Sequence, residues 1–373
     1  MRATSYVERE TTPGGKRLLA LDGGGMRGAL TLEVLEALEG LLREETGGGE
    51  EFVLGDWFDY VSGTSTGAII AACLARGMPV GEVKELYRRL GREMFRKPVL
   101  PRRFWYRYRA DTLTAALKEV FGEATLGDLH LRCLLMMVLR NESTDSPWPL
   151  SNATGARFND RSRPDCNLDL PLWQLVRGST AAPIYFPAEV IHIGGRRLVF
   201  ADGGLTSFNN PSFQLFLMAT LEGYGLGWTV GVDRLLLVSV GTGYHPNADQ
   251  NLRLSRMHAL HNVRSVPSAL MFAASVQQDA LCRVFGRCLV GGEIDGEIGD
   301  LHEEFTPGDR DLFTYLRYNA DLSSDGLETL GLAGLDSRRL RRLDSFASVS
   351  DLEAVGRAIV DRDLRREHYT LFL

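Results

Sequence analysis

Twice before Gly77 the chain passes from a short apolar segment, through a glycine-rich turn, directly into a helical pattern. The first unit runs from residues 17–21 through Asp22-Gly23-Gly24-Gly25-Met26-Arg27-Gly28 into a helix, with Leu30, Val34, Leu35, Leu38, Leu41 and Leu42 at helical spacing. Glu33, Glu36, Glu39 and Glu44 fall on its other faces, and Thr46-Gly47-Gly48-Gly49 ends it. The second runs from 58–61 through Ser62-Gly63-Thr64-Ser65-Thr66-Gly67 into an apolar helix at 68–75, stopped by Gly77 and Pro79. Strands that feed helices in this way return to the sheet by crossover, which constrains the chain to an α/β fold of parallel type. Further strands are predicted at 134–139, 198–201 and 235–240, and helices at 80–90, 112–121, 170–178 and 211–221.

The rest of the chain is less regular. Residues 141–168 are rich in Ser, Asn, Asp, Arg and Pro and read as a long surface connection. After Gly243 two helical stretches, 258–285 and 337–364, flank loops rich in Gly and Asp, so 246–373 is expected to form a helical C-terminal extension or cap. The length, 373 residues, suits two domains or one large α/β domain with insertions. With 44% hydrophobic and 24% charged residues, disorder, collagen and coiled coil are excluded. A net charge of -6 argues against a protein that coats a nucleic acid polymer, whose affinity comes from phosphate-neutralising cations. The polar amino terminus and the absence of any apolar run near the ~20 residues needed to span a bilayer predict a cytoplasmic protein that meets membranes only from outside. The five cysteines have no CxxC pairing or zinc spacing, and the histidines have no metal spacing, so no metal site is expected among them.

Three segments could carry chemistry. Gly63-Thr64-Ser65-Thr66-Gly67 matches G-x-S-x-G between a predicted strand and a predicted helix, the context in which a strained turn exposes a nucleophilic serine. Glycines at Gly63 and Gly67 permit the turn, and the following helix aims its positive end at the hydroxyl. The loop Gly23 to Gly28 offers consecutive backbone N–H groups at a helix N-terminus, a preformed anion site. As G-x-G-x-x-G it could bind a dinucleotide, but the window that should end a strand in an acid holds Gly47-Gly48-Gly49-Glu50-Glu51. As an oxyanion hole it needs only to lie near the serine. Asp202-Gly203-Gly204 follows a predicted strand, and an aspartate at a parallel strand end would face the same edge as Ser65, where it could act as general base without a histidine. Taken alone, Asp-Gly-Gly is also an ordinary turn.

In this order the three motifs resemble the patatin-like phospholipase family, whose D-G-G-G-x-R-G, G-x-S-x-G and D-G-G stand here at 22–28, 63–67 and 202–204. Arg177-Gly178-Ser179-Thr180-Ala181-Ala182-Pro183-Ile184-Tyr185-Phe186-Pro187 and Val238-Ser239-Val240-Gly241-Thr242-Gly243 resemble family segments as well. The resemblance implies a three-layer α/β/α catalytic domain over 14–245, with a mostly parallel central sheet. It implies a Ser65–Asp202 dyad, oxyanion donors at Gly23, Gly24 and Gly25, Arg27 helping to hold that loop, and neither a metal nor another cofactor. The implied activity is phospholipase A type cleavage of membrane glycerophospholipids, with the bilayer surface as substrate and an oligomer left open. Some relatives in this family are gated by a cyclic dinucleotide in anti-phage defence, so a small-molecule activator is a further expectation. Two alternatives remain: a Ser-Asp-His α/β-hydrolase, whose histidine would follow the acid at His245 or His258, and a nucleotide-binding module using the glycine loop. The stretch 95–109, where aromatics alternate with Arg and Lys, fits either an anionic bilayer surface or arginines lying over an aromatic cluster.

Overall fold

The computed structural model describes residues 5–94, 108, 110–183, 185–245, 259–295, 297–301 and 311–373. Among the described residues nine strands form one sheet: β1 (Lys16–Leu21), β2 (Tyr60–Thr64), β3 (Leu134–Asn141), β4 (Ser146–Ser151), β5 (Glu189–Ile193), β6 (Arg196–Asp202), β7 (Leu235–Val240), β8 (Arg287–Val290) and β9 (Thr314–Tyr318). Their order is β5-β6-β3-β2-β1-β7-β9-β8, with β4 also paired to β3. The pairs β3/β2, β2/β1, β1/β7, β7/β9 and β9/β8 are parallel. β1, β3 and β7 carry near-continuous apolar runs because both faces of the sheet are covered, and β2, though it ends in Ser-Gly-Thr, is buried along its whole length.

The helices are α1 (Tyr6–Thr11), α2 (Gly28–Glu45), α3 (Leu54–Trp57), α4 (Thr66–Ala75), α5 (Val80–Met94), α6 (Ala110–Phe121), α7 (Leu172–Ser179), α8 (Ser212–Thr220), α9 (Ala259–Phe285), α10 (Ser324–Thr329), α11 (Ser337–Leu340) and α12 (Val349–Asp363). α4 is buried along its whole length and packs on β1, β2 and β3. That explains its lack of a polar face, since a helix apolar all round must lie in a core. α7 packs on β3 and β6, α8 on β1 and β7, and α12 along α2. The mostly parallel α/β architecture expected from the strand-to-helix units is therefore present.

Three local expectations are corrected. Within 141–168, taken as a surface connection, β4 folds back antiparallel to β3. Its sequence Ser-Pro-Trp-Pro-Leu-Ser hides the strand, because prolines are tolerated at such an edge while Trp148 stacks on Phe200 at 4.9 Å. The segment after 246, expected to be helical, also supplies β8 and β9, which continue the sheet beyond β7. The helical stretch at 337–364 is two helices, α11 and α12, and the break between them turns the Leu343 carbonyl toward the Met26 N–H, which donates to it at 2.8 Å.

Candidate active site

The sheet edge at the C-terminal ends of β1 and β2 gathers all three motifs. Ser65 follows β2 directly and opens α4, with φ 56° and ψ -122°. Such left-handed values are sterically unfavourable for a residue with a side chain, so the surrounding structure must impose them. Two close approaches do so. A side chain on Gly63 would collide with the Gly67 carbonyl, and one on Gly67 would collide with the Leu21 carbonyl at the end of β1. The elbow thus closes on itself and against the neighbouring strand, and the Ser65 hydroxyl stands at the start of a ten-residue helix whose first N–H groups lack intrahelical acceptors.

Asp202 reaches this point by a route the sequence did not indicate. β6 is antiparallel to β3, with Asp202 opposite Leu139, while β2 is parallel to β3, with Thr64 opposite Val138. β4 occupies the other edge of β3, so β6 lies in line with β2 and the two strands meet end to end. The inference that Asp202 sits at a parallel strand end is corrected, although the residue arrives at the same edge. Ser65 Oγ donates to Asp202 Oδ2 at 2.6 Å, and the Gly204 N–H donates to Oδ1 at 2.7 Å. Burial raises the Asp202 carboxyl to about 6, against the opposing pull of these two hydrogen bonds and of the Arg177 charge.

Ser179 belongs to the family-like segment at 177–187. Its Oγ accepts the Ser65 N–H at 2.9 Å and donates to the Val138 carbonyl at 2.6 Å, so it ties the strained residue to β3. Nothing in its local sequence signals that role, because both partners are backbone groups distant along the chain.

The glycine loop lies across from the elbow. The Gly23 N–H donates to the Asn209 carbonyl at 3.0 Å, and the Gly24 N–H to Thr66 Oγ1 at 3.3 Å. Asn209 Nδ2 and Thr242 Oγ1 both donate to the Gly23 carbonyl, and Gly24 packs so tightly on Thr242 that any side chain there would clash. Gly25 takes φ 57°, and the Tyr87 hydroxyl donates to its carbonyl. Arg27 was expected to hold this loop. The residue lines a cavity of about 90 Å³ shared with Asn209, Thr242, His245 and Ser275, and among the described residues its buried Nε has no hydrogen-bond partner. Burial lowers the Arg27 pKa to about 10.

The remaining candidates are not brought to the serine. His245 pairs with Ser337 Oγ at 2.9 Å, while the hydrogen bonds at Asp202 go to Ser65 and Gly204. His258 lies outside the described residues, as do 95–107 and 109 of the aromatic and basic stretch. Tyr108, which is described, is buried, stacks on Tyr185 and donates to Asp344 at 3.0 Å. The second strand, β2, ends at Thr64 and the elbow rather than at an acid that could hold a ribose. All five cysteines are buried free thiols, and among the described residues no group of three or more His, Cys, Asp or Glu could hold a metal ion. No helix among those residues is long and apolar enough to cross a membrane.

The family model for patatin-like phospholipases matches residues 19–214, more than half of the chain. An intracellular phospholipase A2 of Caenorhabditis elegans is 28% identical over 264 residues, which cover 68% of this chain and 22% of that protein. A cGAMP-activated phospholipase of Vibrio cholerae is 33% identical over 210 residues, 53% of this chain and 56% of the relative. The human calcium-independent phospholipase A2-gamma is 30% identical over 257 residues, 64% of this chain and 29% of the relative. The chain therefore spans between about a fifth and just over half of the length of these relatives. Among solved structures, VipD from Legionella pneumophila aligns with 92% of this chain and 67% of its own, at 15% identity and a TM-score of 0.35. On the extent of the family match, with all three of the family's motifs intact and converging on one sheet edge, the chain belongs to the patatin-like phospholipase family.

Proposed function

We propose that this protein is a lipid acyl hydrolase of phospholipase A type, acting at a membrane surface through Ser65 and Asp202. The observation that carries the reading is the 2.6 Å hydrogen bond from Ser65 Oγ to Asp202 Oδ2 at a strained strand-to-helix turn. In the first half-reaction Ser65 Oγ bonds to the ester carbonyl carbon and Asp202 takes its proton. Collapse of the tetrahedral intermediate breaks the acyl C–O bond, and the lysophospholipid oxygen leaves with that proton. In the second, Asp202 takes a proton from water as its oxygen attacks the acyl-enzyme, and Ser65 recovers the proton as the fatty acid departs. The amides of Gly23, Gly24 and Gly25 are proposed to stabilise the oxyanion, assisted by the N-terminal end of α4.

We propose further that a cyclic dinucleotide gates this chemistry. Relatives from Vibrio cholerae, Pseudomonas aeruginosa and Escherichia coli carry the name cGAMP-activated phospholipase. The Gly23 and Gly24 amides are already engaged by Asn209 and Thr66, so the loop must release both before these groups can donate to substrate. That arrangement favours a latent resting state.

The test is acyl release from mixed phospholipid vesicles, followed by mass spectrometry, for the wild-type protein and Ser65→Ala, each with and without 3′,3′-cGAMP. Fatty acid and lysophospholipid that appear with wild type and vanish with Ser65→Ala support the hydrolase, and stimulation by cGAMP supports the gate. Release that survives Ser65→Ala would overturn the dyad, and equal release with and without cGAMP would overturn gating by that ligand.

A further inference from the structure

The oxyanion loop begins at Asp22, one residue beyond β1, and its carboxylate is buried. It is held by Arg317, which stands in the fully buried strand β9, two strands away in the order β1-β7-β9. Arg317 is opposite Ser239 of β7, which in turn is opposite Ala20 of β1. The guanidinium spans that distance: one terminal nitrogen donates to Asp22 Oδ1 at 2.9 Å and to Ser239 Oγ at 2.7 Å, and the other donates to Asp22 Oδ2 at 2.6 Å. This is the planar two-point grip that an arginine gives a carboxylate and a lysine cannot. Burial works against the Arg317 charge, but the adjoining Asp22 carboxylate outweighs it, and the arginine holds its proton more firmly than usual.

We infer that Arg317 is a positioning residue for the oxyanion loop, fixing through Asp22 where the amides of Gly23 to Gly25 point relative to Ser65. This inference rests on the hydrolase reading above. Such an arrangement explains why a charge sits in the middle of a strand that is otherwise Thr, Tyr, Leu and Tyr, where an apolar residue would fill the space without needing a buried partner. Asp22 passes the constraint on directly, because its own N–H donates to the Val240 carbonyl at 3.1 Å and the next three residues are the proposed donors. Arg317 also lies outside the 19–214 span of the family match, so the loop's position depends on sequence that the motif region does not contain.

Two variants test the inference. Arg317→Lys keeps the charge and loses the fork. Asp22→Asn/Arg317→Met removes both charges together, so that neither is left buried and unpaired. Each is compared with wild type for thermal midpoint, Ser65 labelling by a fluorophosphonate, and kcat and KM on a soluble p-nitrophenyl ester. A misplaced donor set should lower kcat and the labelling rate by about 10- to 100-fold, reaching at most the lower end of the loss found when one oxyanion donor is removed outright, with KM within about twofold. The pH midpoint set by Asp202 should stay where it is, which a general loosening of the site would not allow. A folded variant with kcat within threefold of wild type would overturn the inference. So would a rise in KM at unchanged kcat, or failure of both variants to fold, since either would make Arg317 a binding or purely structural residue. Wild type that does not label at Ser65 either with or without cGAMP would sink the hydrolase reading and this inference together; equal labelling of wild type and variants would sink this inference alone.

Discussion

Replacing Asp202 by Asn should stabilise the protein while silencing it, and the size of the gain can be worked from the site. The carboxyl is buried and raised from an ordinary 3.8 to about 6, which means that ionising it in the folded state costs about 3 kcal/mol at roughly 1.4 kcal/mol per pH unit. Because the folded pKa lies above the unfolded one, the folded state binds the proton more tightly between these values. Wild-type stability therefore falls as pH rises through that window, and the full cost is present above about pH 6. Asn does not ionise, and its carbonyl can keep the Gly204 N–H while its amide donates to Ser65 Oγ. At pH 8 the variant should be more stable by up to about 3 kcal/mol, a rise of roughly 5 °C in Tm for a chain this long, and the gap should close as pH falls toward 4. Melting curves across pH 4 to 9 measure this directly. Over the same range wild-type kcat/KM should rise through about pH 6 as Asp202 becomes a base, and the variant should lose about 10²- to 10⁴-fold. A variant that melts below wild type at pH 8, or with the same gap at pH 4 and pH 8, would refute the claim that an unfavourably buried charge is held in place for catalysis.

Three further outcomes are expected. Ser65→Gly and Ser65→Ala should both be inactive, but the glycine variant should be more stable by about 1–3 kcal/mol because it relieves the φ 56° strain; equal melting would show the elbow to be unstrained. Ser179→Ala leaves the Ser65 N–H and the Val138 carbonyl without their partner, and should cost about 1–3 kcal/mol and slow fluorophosphonate labelling of Ser65. Gly67→Ala drives a methyl group into the Leu21 and Asp22 carbonyls, so it should be insoluble or melt well below wild type, and a soluble variant with wild-type Tm would disprove the close approach.

What the sequence disclosed was local. The strand-to-helix units placed β1, β2, α2 and α4, because apolar periodicity and glycine punctuation act within a few residues. Ser65 was legible since the elbow needs glycines at fixed positions on either side, and here those needs are carbonyls that leave no room for a side chain. Asp202 was legible only through the family motif. Its strand runs antiparallel, and the reason it meets Ser65 is the shared pairing of β2 and β6 along β3, which no local pattern encodes. The roles of Ser179, Asn209 and Thr242 were not legible because they act on backbone groups 114, 186 and 219 residues away. β4 was missed because its prolines and polar residues suit an edge strand and a loop equally well.

The same nonlocality bears on whether 14–245 could stand alone as a catalytic domain, as the motif positions invite one to expect. Truncation after residue 245 would remove β9 and leave β7 as a bare sheet edge, with Asp22 still buried but deprived of its arginine. An uncompensated buried charge costs about 3–5 kcal/mol, a large share of the 5–15 kcal/mol that holds a typical protein folded. Loss of α12 would also uncover the apolar face of α2 against which Leu352, Val355 and Ile359 are buried. The Leu343 carbonyl that receives the Met26 N–H would go with it. The truncated chain should therefore express as insoluble or non-cooperatively melting protein, with Ser65 unlabelled by fluorophosphonate. A soluble fragment that melts cooperatively and labels at the wild-type rate would show that the three motifs and their sheet edge are sufficient. The contacts from the last third of the chain would then be incidental to the site.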